Sequence, residues 1–165
     1  MKKLSIFLFV AVMLTNACKQ TPAPVSVDLN AVKATVDSMF DRFTSTWNNQ
    51  DDSIMMSYLT EDALILGTDP SEFWTKKEFS DGWQQMAADS VPVFNFIGNR
   101  EIKVSPDGNA AMVVEQFFMP GVSPKIPWRN VYQAVKVDGR WMIDFLSSSF
   151  IPRNDDITRI NNAVE

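Results

Sequence analysis

The 165 residues suffice for one domain, and 45% of them are hydrophobic, ample for a core that must stand without disulfides because Cys18 is the lone cysteine. A formal net charge of −5 argues against nucleic acid or anionic phosphate partners. The absence of histidine removes Ser-His-Asp and Cys-His catalysis and the usual zinc sites; no metal or other cofactor is expected.

The chain opens as an export signal. Lys2 and Lys3 form a positive start, and Leu4 to Leu14 is an apolar run too short for a mature membrane span. Thr15-Asn16-Ala17 before Cys18 resembles a bacterial lipobox, with Thr15 where such boxes usually carry Leu. Residues 1–17 are therefore read as a signal peptide and residues 18–27 as a lipidated Cys18 with a Pro-containing linker. Residues 28–165 form the domain. The expected location is the cell envelope, lipid-anchored at a bacterial membrane, outer rather than inner. Cleavage after Ala17 would instead leave a secreted or periplasmic soluble protein.

Leu29, Val32, Val36, Phe40, Phe43 and Trp47 step by three or four residues and predict one long amphipathic helix, started by Asp28 as cap. A second short helix is predicted over Ile54 to Leu59, and a brief strand over Ala63 to Leu66. Gly67 to Trp83 then reads as a mouth loop followed by a firmly capped helix. Asp69-Pro70 is a turn signal. Thr75 and Glu78 match the capping box, while Trp74 and Phe79 occupy the hydrophobic staple positions. Phe79, Trp83 and Met86 continue one apolar face.

Four strands should follow. Val93 to Val104 bends at Gly98-Asn99, and Ala110 to Met119 comes after the Pro106-Asp107-Gly108 turn. A loop with three prolines spans Pro120 to Pro127. Trp128 to Val137 and Arg140 to Ile151 flank Asp138-Gly139, a strong hairpin signal. Asn154 to Val164 reads as a short terminal helix or a frayed tail. The fold class is α+β: a cone-shaped, curved antiparallel sheet wrapped around a long N-terminal helix.

The loop Gly67-Thr68-Asp69-Pro70-Ser71-Glu72 with Trp74, and the closing hairpin Asp138-Gly139-Arg140-Trp141-Met142-Ile143, resemble the SnoaL-like branch of the nuclear transport factor 2-like superfamily. The similarity spans about Asp28 to Pro152. It implies a cone-shaped fold with a deep pocket, often a homodimer through the sheet. Its members include isomerases, cyclases, dehydratases and hydrolases, besides ligand binders and association domains, so the fold does not settle function.

The candidate chemistry rests on carboxylates, an arginine and aromatics. Asp69 and Glu72 on the mouth loop could serve as general acid or base if Phe73, Trp74 and Trp83 give an apolar setting; otherwise they are a turn-forming Asp and a solvent-facing Glu. Arg129 shares a strand face with Val131, Gln133, Val135 and Val137. Glu115 and Asp144 on flanking strands are its natural partners, in a structural ion pair or around a bound acid or carbonyl. Tyr58 and Tyr132 are the two tyrosines. A pocket Tyr with an Asp is the isomerase pattern of the resembled superfamily, which makes Tyr58 a catalytic candidate. Trp74, Trp83, Phe94, Phe96 and Phe117, with Glu115 and Asp144, are the candidate ligand-binding residues, the aromatics being equally suited to core. Three readings follow. The first is a domain binding a small apolar or carbonyl-containing molecule in the cone. The second is a cofactor-independent isomerase, dehydratase or hydrolase. The third is a dimerisation or docking domain without chemistry.

Overall fold

The structure, a computed structural model, describes residues 26–49, 51–89 and 93–164. The signal segment, Cys18 and all but the end of the linker lie outside them. Helix α1 (Leu29–Asn48) starts where Asp28 caps it: the carboxylate accepts the N–H groups of Asn30 at 3.0 Å and Ala31 at 3.1 Å. Its buried face is Val36, Met39, Phe40, Phe43 and Trp47. Leu29, the first residue of the expected stripe, stays exposed at the helix end. Helix α2 (Asp52–Met56) buries Met55 and Met56, and it stops short of the expected end. Leu59 instead begins β1 (Leu59–Leu66), where it pairs with Ile143. That strand is twice the length predicted from Ala63 to Leu66.

The mouth loop is closed by a Gly67 N–H to Glu72 carbonyl hydrogen bond of 3.0 Å. It leads into β2 (Phe73–Thr75), an unexpected edge strand antiparallel to β1. Helix α3 (Lys76–Asp89) follows. Its capping box is complete: the Thr75 N–H donates to Glu78 Oε2 at 2.8 Å, and the Glu78 N–H donates to Thr75 Oγ1 at 3.3 Å. The staple is present too, with the Trp74 and Phe79 rings 6.0 Å apart. The side chain of Met86, expected on the same face, lies outside the described residues.

The predicted strand over Val93 to Val104 is two pieces, β3 (Asn95–Phe96) and β4 (Glu101–Val104), because Gly98 takes a φ of 70° that breaks the pleat. Strands β5 (Ala110–Met119), β6 (Ser123–Val137) and β7 (Arg140–Phe150) form the meander. Strand β6 begins inside the segment expected to be loop, where Ser123 pairs with Met119. Asp138 at φ 50° and Gly139 at φ 79° make the β6–β7 turn of the type that matches strand twist. A 3₁₀ turn (Asn154–Asp156) and α4 (Ile157–Ala163) close the chain.

The sheet order is β2-β1-β7-β6-β5-β3, with β4 also on β5. All pairings are antiparallel except β1 with β7, which run parallel. The curved sheet folds over α1. One cluster runs through both, from Val36, Phe40 and Phe43 on the helix to Val113, Tyr132, Ala134 and Ile143 on the strands.

Candidate functional site

Strand alternation fixes what the cone contains. On β5 the inward residues are Ala111, Val113, Glu115, Phe117 and Met119; on β6 they include Asn130, Tyr132 and Ala134. The inner wall is thus apolar except for a polar group where β5, β6 and β7 meet. Above it lies a cavity of about 150 Å³. Trp47 comes from α1, Trp74 from β2, Phe79 and Trp83 from α3, and Phe117 and Trp128 from the sheet. Trp47 packs edge to face on Trp83 at 4.4 Å and on Phe94 at 5.2 Å, while Phe117 and Trp128 stack at 6.2 Å. Asn130 and Ser148 supply polar atoms at the floor, and Thr68 and Glu72 at the mouth. A Cβ at Gly67 would meet the Glu72 side chain, its carboxylate at 2.0 Å and its Cβ at 2.8 Å, so a larger residue there would displace Glu72.

Below the floor a narrow throat is lined by Thr44, Phe96, Glu115 and Tyr132. It leads toward an outer cleft of about 460 Å³ that exposes Asp37, Asp41 and Arg100. Arg100 organises this end. Its Nε donates to Glu115 Oε1 at 2.6 Å, its Nη1 donates to Asp37 at 2.5 Å and Asp41 at 2.9 Å, and it lies 5.5 Å over the Phe40 ring. Burial works against the cation, but the hydrogen bonds to Glu115 and Asp41 win and carry the Arg100 pKa upward. Burial pushes the Glu115 carboxyl up, opposed by its hydrogen bond to Arg100. Tyr132 is raised well above a free phenol, first by burial and then by the neighbouring Glu115 charge. The three carboxylates surround a guanidinium, and among the described residues no acid or Cys cluster is placed for a metal ion.

Several predicted site residues do meet at the cavity: Glu72, Trp74, Trp83, Phe94 and Phe117. Phe96 and Glu115 line the throat beside it. Others lie elsewhere. Asp69 is exposed on the mouth loop; the Ser71 hydroxyl and then the Ser71 N–H bond its carboxylate and hold its pKa below the usual range. That is opposite to the shift a general base needs near neutrality. Tyr58 packs its ring on Phe43 at 5.8 Å and does not line the cavity. Arg129 occupies the predicted row with Val131 and Gln133, but that row is the outer face, opposite to Asn130 and Tyr132. Its guanidinium is bonded by the Gln116 amide oxygen at 3.0 Å. The expected partners bond differently, Glu115 with Arg100 and Asp144 with Thr60 at 3.2 Å. Asp144 is therefore remote from the cone interior. Arg100, Asn130, Trp128 and Ser148 were not singled out from the sequence; the Gly98 bend, which turns Arg100 back onto Glu115, is the signal nearest to them.

The fold has many relatives among solved structures. A protein of unknown function from Pseudomonas putida, described as NTF2-like, superposes with a TM-score of 0.64 at 10% identity, covering 76% of this chain and 91% of its own. A putative calcium/calmodulin-dependent protein kinase II association domain from Xanthomonas campestris gives 0.58 at 18% identity, covering 81% and 94%. An NTF2-like protein of unknown function from Shewanella oneidensis gives 0.58 at 20% identity, covering 71% and 98%. At these identities the likeness concerns the fold alone. No curated protein matches the chain. Residues 36–153 match the SnoaL-like domain profile, and the chain belongs to the SnoaL-like family, with the NTF2-like fold.

Proposed function

We propose that the cone binds one compact, mostly apolar molecule carrying a ring. The observation that supports this reading is the aromatic cavity of about 150 Å³. Voids of that order accept a benzene-sized ring, whereas drug-sized ligands need several hundred Å³. Acid–base catalysis has less support: Glu115 is engaged by Arg100, and Asp69 is in solvent with a lowered pKa. Toluene is a suitable probe. Isothermal titration calorimetry of the full-length chain should give saturable heat with toluene. Thr68→Phe, which fills the mouth, should abolish it. A wild-type protein that takes up no toluene would remove this reading.

Two further features belong to the same proposal. The outer sheet face is a self-association surface. Across it run Phe73, Leu66, Val131 and Val114 in one cross-strand row, interrupted by Ser147, and Leu64, Phe145 and Met112 in the next, interrupted by Gln133. Phe73 is 65% exposed and Met112 54%. The domain is also tethered to the envelope through Cys18. Palmitate labelling should mark the wild type and not Cys18→Ala, and an unlabelled wild type would refute the tether.

A further inference from the structure

We infer that the ligand of the cone bears a hydroxyl group, which sits against Asn130 and Ser148. This rests on the cavity reading above and adds the polar half of the ligand. Hydrogen-bond direction at the floor decides the ligand's polar group. Arg100 has donors only, and its Nε donates to Glu115 Oε1. Tyr132 lines the throat beside Glu115, and its hydroxyl accepts from Asn130 Nδ2 at 2.9 Å, which directs the amide with Nδ2 toward the phenol. Asn130 Oδ1 therefore faces Ser148, and the Ser148 hydroxyl donates to it at 2.8 Å.

Both hydrogen bonds point one way, from Ser148 through Asn130 to Tyr132. Two capacities are left over where Asn130 and Ser148 line the cavity. Asn130 Nδ2 keeps one N–H, since an amide nitrogen carries two and Tyr132 takes one. Ser148 Oγ keeps its lone pairs but has no proton to give. The floor offers a donor beside an acceptor. A hydroxyl answers both, accepting from Asn130 and donating to Ser148. A bare carbonyl leaves Ser148 unanswered whichever donor it takes, Trp128 Nε1 included, and an ammonium leaves Asn130 unanswered. Asn130 is 4% exposed, so a group left unmatched there is costly. The class of ligand is a ring-bearing alcohol or phenol.

The test uses two probes of nearly equal shape, toluene and p-cresol, titrated by calorimetry into the full-length chain. Wild type should bind p-cresol about tenfold tighter than toluene, the worth of one well-made hydrogen bond pair. Ser148→Ala and Asn130→Leu should each erase most of that preference, read as the ratio of p-cresol to toluene affinity within the same variant. Equal affinities for the two probes in the wild type would overturn the inference and leave the cavity reading standing. A preference that survives both substitutions would overturn it as well. If neither probe binds, the cavity reading itself fails and takes the hydroxyl with it.

Discussion

Arg100 is the residue on which the inside of the cone depends. Its side chain is 13% exposed, and that of Glu115 only 3%. Removing one partner of such a pair leaves a buried charge without compensation, so Arg100→Met should cost about 3 kcal/mol in urea unfolding. The loss should also depend on pH. Burial already raises the Glu115 pKa in the folded state, and without Arg100 its largest opposing influence is gone. A carboxyl whose folded pKa lies above its unfolded value favours folding below the unfolded value, and that contribution is lost as pH rises through the folded one. The deficit of Arg100→Met relative to wild type should therefore be smaller at pH 5 than at pH 8. An equal or larger deficit at pH 5 would mean that Glu115 is solvated. Arg129→Ala, on the outer face, should change stability by no more than about 0.5 kcal/mol. Sequence alternation gave the correct set of neighbours for Arg129 but the wrong side. A period of two states which residues share a face, and only the position of α1 decides which face is the inside.

At the scale of elements, the most local features were the most legible. The α3 capping box depends on two residues three apart, and the Asp28 cap and the Asp138-Gly139 turn are equally short-range. Thr75→Ala should cost about 1 kcal/mol by equilibrium unfolding, because the Glu78 N–H loses its acceptor. A smaller loss than a few tenths of a kcal/mol would mean that packing of Phe79 and Trp83 alone holds the helix start. Elements set by pairing across the sheet were illegible. The three residues of β2, Phe73, Trp74 and Thr75, suit a strand by type but are too few to signal one, and β1 offers them an edge. Strand β6 extends back through Pro124 and Pro127 because Ser123 finds Met119 across the turn. The polar relay was hidden for the same reason. Arg100 and Glu115 are 15 residues apart, and Arg100 and Asp37 are 63 apart.

For the whole molecule, the division between a filled interior and a partly bare outer face decides how the domain behaves. The inner side of the sheet is occupied by α1, the cavity and the aromatic rings around it. On the outer side the segment from Pro152 to Ala163 approaches Gln116 and Phe118, while Phe73, Leu64 and Met112 stay exposed. Burying Phe73, Leu64 and Met112 against a second copy would remove that surface from water at about 25 cal/mol per Å². An isologous pairing places the same rows against each other, so a charge introduced at one position appears twice across the interface. Met112→Glu should therefore convert a micromolar dimer to monomer in sedimentation equilibrium, since two carboxylates would lie in one apolar contact. Val122→Glu is the matched control. Val122 is 55% exposed but sits on the β5–β6 turn at the cavity mouth, away from these rows. It should leave the mass unchanged. A wild-type protein that sediments as a monomer at tens of micromolar would refute pairing through this face, and a Val122→Glu monomer would move the contact to the mouth.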